Sequence, residues 1–215
     1  MGAAPAARVS AQMPMSEMQS SMVDVGFAVG GAQLAADHRR MLAQAVEGLL
    51  PWLAGLPGAA VHRLRMVPGG AQGALLSRRT RLTLRVPRER ASDVQALAGS
   101  LLCLGDQALS LGPAQLHELL PHNTLYAYLV AWPDADEAAF ILAMNQELSI
   151  LGVACRPICG RHQVVEGGAI EGFSLMLDGL SVAHSLRVLE SGLGPHRRLG
   201  CGVFVPHKSA TAVGG

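Results

Sequence analysis

A candidate for proton-transfer chemistry in this 215-residue chain is His38, at the predicted start of a helix. An imidazole has an unperturbed pKa of about 6.5, so it can take up or release a proton near neutral pH. Asp37 is the predicted N-cap, and Arg39 and Arg40 follow with positive charge that would attract an anion. A structural interpretation stays open, because His38 falls on the apolar side of the helix, three residues before Met41.

A glycine-rich segment with a basic centre precedes the last predicted strand. Its glycines are Gly192, Gly194, Gly200 and Gly202, and its basic side chains are His196, Arg197 and Arg198. Glycine lets backbone amides approach an anion and permits positive φ, so we expect a phosphate site that tolerates no side chain. The segment is neither a Walker loop nor a dinucleotide fingerprint, because no Gly-Lys-Ser/Thr follows and it leads into a strand. An ordinary glycine-rich hairpin is the alternative.

A row of arginines alternates along the strand predicted from Leu75 to Val86. Arg79, Arg81 and Arg85 share one face, and Arg78 extends the positive charge. Residues on one face of a strand lie roughly 6.5–7 Å apart, so such a row can follow the phosphates of a nucleic acid. A merely solvated, charged face is the alternative. Arg161 and Lys208 are further candidate RNA contacts.

Composition narrows the class of protein. Half of the residues are hydrophobic, the formal net charge is +1, and every basic side chain among the 17 except Lys208 is arginine. Arginine binds phosphate in a bidentate manner and stacks on bases, although GC-rich codon usage alone would also favour it. The four cysteines lack zinc-ligand spacing. We see no signal peptide or membrane span, and we expect a soluble cytoplasmic protein without metal or cofactor.

The hydrophobic pattern predicts the order β-α-β-β-α-β twice, which indicates an α+β fold of two tandem ferredoxin-like (RRM-like) domains. The first domain is predicted over 22–112, with strands at 22–29, 61–66 and 75–86, a strand or hairpin at 101–111, and helices at 37–50 and 88–97. The second is predicted over 124–208, with strands at 125–132, 153–165, 173–177 and 203–205 and helices at 134–151 and 181–189. The segment 153–165 includes a candidate hairpin turn near Gly160, and Ser181 is the predicted N-cap of the last helix. A flexible leader (1–21), a linker (113–123) and a flexible tail (209–215) complete the prediction.

These motifs resemble those of the repeat-associated mysterious protein (RAMP) superfamily, and within it the CRISPR repeat-RNA processing endoribonucleases. The likeness is strongest in the tail Arg197–Lys208, which resembles the ending of a compact subgroup from myxobacterial-type type I CRISPR systems. Residues 172–180 and the Leu50-Pro51-Trp52 triplet are also similar to that subgroup. The resemblance extends from about Met22 to Lys208.

The resemblance implies that the protein binds precursor CRISPR RNA, cuts it without a metal to leave a 2′,3′-cyclic phosphate, and keeps the guide RNA in a type I effector complex. His38 matches the place of the family's general acid or base, with the amides of its helix start attracting the scissile phosphate. Its catalytic partner is unassigned, with Tyr126, Tyr128 or an arginine as candidates. The alternatives are a non-cleaving RNA-binding subunit of the effector complex and a ferredoxin-like protein that binds a small molecule.

Overall fold

The computed structural model describes residues 19–31, 33–35, 37–68 and 73–208. Its first half contains β1 (Met22–Gly30), β2 (Gln33–Leu34), α1 (Arg39–Leu49), β3 (Ala60–Val61), β4 (Val67–Pro68), β5 (Ala74–Leu75), β6 (Arg81–Pro87), α2 (Ala91–Gln95), β7 (Leu101–Leu104) and β8 (Gln107–Glu118). Its second half contains β9 (Leu125–Ala131), α3 (Glu137–Ile150), β10 (Arg156–Val165), β11 (Ile170–Asp178), α4 (Val182–Ser191) and β12 (Phe204–Pro206). The predicted tail and residues 1–18 of the leader lie outside the described residues.

Both halves have the ferredoxin-like strand order. The N-terminal sheet runs β3-β6-β1-β8-β7 and the C-terminal sheet runs β10-β11-β9-β12. Without β7, each sheet has its first strand between its third and its fourth, and each pairing is antiparallel. The predicted α+β fold of two ferredoxin-like units is therefore confirmed. A small sheet, β2-β5-β4, is added to the first half.

Each half buries its own core between the sheet and its helices. On α1 the inward residues are Leu42, Ala43 and Val46, which recur at helical spacing. On β9, Leu125 and Ala127 are fully buried, while the alternate tyrosines of the same strand are partly exposed. Because every second residue of β9 faces away from the helices, the tyrosines line the other face of the sheet.

The helix starts of the second half depend on side-chain caps. The carboxylate of Asp136 accepts a hydrogen bond from the N–H of Ala139, so α3 begins at Glu137 and not at 134 as predicted. The hydroxyl of Ser181 accepts from the N–H of His184, which confirms the predicted cap of α4.

Several predicted element boundaries differ from the structure, among them the strand predicted over 61–66, which ends at Val61. β8 continues to Glu118, because residues 114–118 pair with β1, so most of the predicted linker belongs to a strand. The strand predicted over 75–86 is interrupted, and β6 begins only at Arg81. β10 runs through Gly160 with an irregular register, so no hairpin turns there.

The two halves meet along an interface that we call the seam, built around Asp24, His62, Arg85 and Arg197. There the C-terminal end of α4 and strand β12 cover the face of the N-terminal sheet that points away from its helices. The seam brings α1 close to the segment that follows α4, where the candidate functional residues lie. Among the described residues, no helix is long and apolar enough to cross a membrane.

Candidate functional site

His38 forms the N-cap of α1, so the prediction of Asp37 at that position is wrong by one residue. Its side chain is only 5% exposed, and Nδ1 lies 2.9 Å from the carbonyl oxygen of Ala35. A carbonyl oxygen can only accept, so Nδ1 carries the hydrogen in this contact and the neutral ring has its lone pair on Nε2. The contact with Ala35 thus favours the Nδ1–H tautomer of the neutral imidazole.

The start of α1 is capped from the other half of the molecule. Glu166 lies in the short turn between β10 and β11, and its Oε1 accepts a hydrogen bond of 2.9 Å from the N–H of Arg39. The backbone of Glu166 has a φ of 55°, a left-handed conformation that is unfavourable for a side chain other than glycine. The first amide of α1 is therefore bonded to a carboxylate, and the expectation that it attracts phosphate is wrong.

Two arginines, Arg39 and Arg63, lie close to Gly200 at the edge of the seam. Nη1 of Arg39 donates to the carbonyl oxygen of Leu199 at 2.8 Å, which uses one of its five N–H donors. The guanidinium of Arg63 lies 3.6 Å from the centre of the Tyr128 ring, a cation–π contact. Partial burial lowers the pKa of Arg63. Both arginines approach Gly200, because a Cβ built there would contact Nη1 of Arg39 and the backbone of Arg63.

A narrow cavity of about 90 Å³ continues from these arginines along the open face of the C-terminal sheet. Its lining residues are His62, Arg63, Arg65, Tyr126, Tyr128, Gly200, Val203 and Val205. The Tyr126 ring also approaches the imidazole of His207, with ring centres 5.4 Å apart. Aromatic rings alternate here with arginines, an arrangement suited to bases and phosphates of a single strand.

A second cavity of about 250 Å³ lies on the α1 side of the glycine-rich segment. Among its lining residues are Arg40, His196 and Arg198, and Arg198 also forms an ion pair with Glu47. The candidate site therefore consists of His38 and Arg39 at the start of α1, with arginine-lined cavities on either side, one with Arg63 and one with Arg198.

The family model described as Cas6 CRISPR matches residues 23–209 of this chain. The chain belongs to the Cas6 family. A curated relative, the CRISPR-associated endonuclease Cas6 of Myxococcus xanthus strain DK1622, is 39% identical over 194 residues, which cover 89% of this chain and 84% of that protein. The resemblance inferred from the sequence motifs is thereby confirmed.

Solved structures support the same fold. A CRISPR-associated protein Cas6 aligns with a TM-score of 0.60 at 8% identity, over 87% of this chain and 100% of the other. A Cas6-related protein from Pyrococcus furiosus aligns with a TM-score of 0.55 at 11% identity, over 86% and 98%. A Cas6 in complex with a substrate mimic gives 0.53 at 14% identity, over 85% and 97%. Identities this low establish the fold alone.

In this Cas6 family member, Arg85 cannot contact RNA as predicted. Its side chain is 1% exposed, and it forms a bidentate pair with Asp24 at 2.8 and 2.9 Å. Nη1 also donates to the carbonyl oxygens of Leu189 and Phe204 at 2.8 and 3.0 Å. The prediction that Arg85 lies in an exposed row of arginines is wrong. The helices cover one face of the N-terminal sheet, and α4 and β12 of the other half cover the face on which Arg85 lies.

The pKa values of the seam follow from this burial. Desolvation by itself raises the pKa of Asp24, but the hydrogen bonds from Arg85 outweigh it and hold this pKa far below its usual range. Desolvation lowers the pKa of His62, although Asp24 lies 3.4 Å from its Nε2 and acts in the opposite direction. The seam therefore pairs a carboxylate that stays ionised with a histidine that favours the neutral form.

The amides of the four glycines do not form the predicted phosphate site. The N–H groups of Gly192, Gly194, Gly200 and Gly202 donate to Val188, Glu147, Arg197 and Leu129, respectively. All four glycines have a positive φ, between 63° and 77°. The segment requires glycine for its own tight folding, and a substitution there is expected to damage the fold, not RNA binding alone.

Arg197 and Arg198 are neighbours with different environments. The guanidinium of Arg197 donates to the carbonyl oxygens of Gly202, Gly58 and Glu190 at 3.1, 2.8 and 3.2 Å. Burial lowers the pKa of Arg197 to about 10. The prediction that Arg197 contacts RNA is contradicted by this set of bonds, whereas Arg198 is exposed and keeps its candidate role.

The structure does not gather the remaining predicted contacts at one place. Arg78, Arg79 and Arg81 are exposed at the start of β6. Arg161 lies on the edge strand β10, and Lys208 follows β12 at the opposite edge of the same sheet. A path from one edge to the other would have to cross the face that carries Tyr126 and Tyr128, so we keep these residues as separate candidate contacts.

Sequence reasoning missed Arg63, Arg65 and Glu166. Arg63 and Arg65 are two residues apart in the strand predicted over 61–66, so their side chains would share one face. The argument applied to the arginines of 79–85 would therefore have found them. Glu166 stands before Gly167-Gly168, a turn signal, but its contact with Arg39 joins residues 127 positions apart. Nothing in the local pattern indicates that contact.

Proposed function

We propose that this protein is an endoribonuclease that binds precursor CRISPR RNA and cuts it within the repeat, with His38 as the proton-transfer residue. Membership of the Cas6 family supports this activity. The observation that carries the role of His38 is its place at the N-cap of α1, where Nδ1 contacts the carbonyl oxygen of Ala35 and the next residue, Arg39, reaches Leu199 with its guanidinium.

The proposed reaction uses the nucleophile that RNA itself carries. Nε2 of His38 takes the proton of the 2′-hydroxyl, whose oxygen attacks the adjacent phosphorus. The bond from phosphorus to the 5′-oxygen breaks, a 2′,3′-cyclic phosphate forms, and the leaving oxygen receives a proton from a second group. Arg39 and Arg63 offset the charge of the phosphorane. This balance requires no water activated by a metal.

The second proton-transfer group is not assigned. Tyr128 lies under the guanidinium of Arg63, which makes it the stronger of the two tyrosine candidates. Tyr126 contacts His207 and lies farther along the same strand. Proposed RNA contacts outside the reacting centre are Arg40, Arg78, Arg79, Arg81, Arg161, His196, Arg198 and Lys208.

We further propose that the cleaved guide RNA stays bound and that the product complex joins a type I effector complex in the cytoplasm. The exposed arginines on both sides of the seam support retention, because each phosphate contact adds to affinity without being consumed in the reaction. A non-cleaving RNA-binding subunit is the second candidate, favoured by the near burial of His38.

Incubation of the cognate repeat RNA with wild type and with His38→Ala tests the proposal. We expect His38→Ala to lose roughly 10²–10⁴-fold in single-turnover cleavage rate, with RNA affinity nearly unchanged. His184→Ala is the matched control, since His184 lies on α4 and bonds to Ala154, and it should cleave at the wild-type rate.

Cleavage should persist in EDTA, yield a 2′,3′-cyclic phosphate, and stop when the scissile nucleotide carries a 2′-deoxy sugar. Metal dependence, or His38→Ala at the wild-type rate, would show the mechanism to be wrong. Binding without cleavage by the wild type would identify the RNA-binding subunit instead.

A further inference from the structure

A cavity of about 330 Å³ lies on the far side of the glycine-rich segment from α1. Its lining residues are Ala131, Trp132, Pro133, Gly168, Ala169, Ile170, Glu171, Pro195 and His196. No residue of this set belongs to the proposed reacting centre. The volume is at the lower end of the range that holds small ligands, roughly 300–1,000 Å³.

We propose that this cavity binds one base of the repeat RNA, a base that carries an exocyclic amino group. This inference rests on the proposed function and adds a specificity-determining subsite to it. Trp132 would supply the stacking surface, and the carboxylate of Glu171 would accept a hydrogen bond from the amino group.

Trp132 is held in a defined position at this cavity. Its Nε1–H donates to Oδ1 of Asp134 at 3.1 Å, and its ring meets Phe140 edge-on, with centres 6.1 Å apart. An indole fixed in this way loses little conformational entropy when a base stacks on it. The bound base therefore meets a surface that is already ordered.

The charge at the cavity selects a base over a phosphate. Glu171 is about one-third exposed, and its Oε2 lies 3.4 Å from Nε2 of His162. A phosphate against this carboxylate would be repelled, whereas an amino group would donate to it. His196, at the mouth of the cavity, also lines the second cavity with Arg40 and Arg198. The sugar–phosphate backbone can thus pass over His196 while the base turns inward.

The cavity is adjacent to the proposed reacting centre. Gly168 lines it, and Glu166 in the same short turn accepts the hydrogen bond from the N–H of Arg39. A base in the cavity therefore belongs to a nucleotide close to the scissile phosphate. Its recognition would fix the register of the cut within the repeat.

The chain has two tryptophans, Trp52 and Trp132, so the cavity can be monitored directly. In Trp52→Phe, Trp132 is the sole tryptophan, and base stacking quenches its fluorescence. We expect saturating repeat RNA, made uncleavable by a 2′-deoxy scissile nucleotide, to quench this emission. An abasic substitution at one nucleotide near the cut should abolish the quench and weaken binding about 5- to 100-fold. Trp132→Phe, which leaves Trp52, is the matched control and should show no quench.

Anisotropy of a labelled RNA, measured in the same titrations, separates the possible failures. RNA that binds and is cut by the wild type, but leaves the Trp132 emission unchanged, would overturn the base site and leave the proposed function intact. RNA that does not bind would overturn both. Glu171→Ala should then reduce the preference for the amino-bearing base at that nucleotide, and an unchanged base preference would also contradict the proposal.

Discussion

The seam arginines Arg85 and Arg197 differ in hydrogen-bond partners and in exposure from Arg81 and Arg198, which we call the rim. Arg85 donates to the carboxylate of Asp24 and to two backbone carbonyls of the opposite half. Arg197 donates to three backbone carbonyls, and both side chains are largely buried. Arg81 and Arg198 are exposed to solvent. Because Arg197 and Arg198 are adjacent in sequence, the residue type alone does not separate an arginine that holds the fold from one that can reach RNA.

Burial explains the difference. A guanidinium withdrawn from water must find acceptors for its donors, and Arg85 finds a bidentate carboxylate and two carbonyls. Those bonds leave little capacity for an external phosphate. The comparison therefore predicts stability effects inside the seam and RNA effects at the rim.

The largest effect is expected for Arg85→Ala. Removal of one partner leaves the carboxylate of Asp24 buried without its bidentate pair, which costs about 3–5 kcal/mol of unfolding free energy. Chemical denaturation measures this loss. The control is Arg90→Ala, because Arg90 forms an exposed pair with Asp93 and a cation–π contact with Trp52, and the loss of both should cost at most about 1.5 kcal/mol. Equal effects of the two variants would contradict the comparison.

A substitution in the glycine-rich segment should also lower the free energy of unfolding. Gly202 has a φ of 63°, and a Cβ there would overlap the carbonyl oxygen of Leu193, so Gly202→Ala should cost about 1–3 kcal/mol or more. Gly48 lies in α1, where an added Cβ would point into open space, so Gly48→Ala should stabilise by about 0.5–1 kcal/mol. Thermal unfolding of the two variants should show shifts of opposite sign.

The seam should also make stability depend on pH through His62. Its folded-state pKa lies below the unfolded value of about 6.5. The unfolded chain then binds more protons, so unfolding free energy falls as pH drops below about 6.5. Asp24 adds a loss below about pH 4, because its carboxylate is favoured in the folded state.

Denaturation of His62→Gln between pH 7 and 4.5 tests the first of these losses. The slope of unfolding free energy against pH should be shallower than in the wild type. His184→Gln, on the outer helix α4, should keep the wild-type slope, and a wild-type slope in His62→Gln would rule out this origin.

Substitutions at the rim should have the smallest effect on stability and a clear effect on RNA affinity. Arg81→Ala and Arg198→Ala should each change unfolding free energy by at most about 0.5 kcal/mol. Each should also lower the slope of log affinity for repeat RNA against log salt by about 1. Arg197→Ala should instead destabilise the protein. The slope of log RNA affinity against log salt, measured on the folded variant, should stay near the wild-type value.

The sequence was sufficient for the parts of this fold that depend on local pattern. The β-α-β-β-α-β order follows from hydrophobic periodicity, and the cap of α4 follows from Ser181. The motifs of the tail Arg197–Lys208 indicated the family. His38 was placed at a helix start by the same local signals.

The contacts across the seam could not be predicted in this way. Alternation assigns Arg85 to a face of β6, but it does not say that α4 and β12 cover that face. Glycine spacing suggested an anion site, whereas the amides of those glycines bond within the protein. Both errors come from contacts between residues more than 60 positions apart or from loop geometry that composition does not encode.

The hydrogen bond from Arg85 to the carbonyl oxygen of Phe204 has a consequence for folding during synthesis on the ribosome. The N-terminal half emerges first and can form its own core, but its second face then carries Asp24 and Arg85 without the residues that will cover them. Until residues 189 and 204 have left the exit tunnel, water must solvate that face. During this interval the uncovered face of the N-terminal half is open to misassembly with other chains.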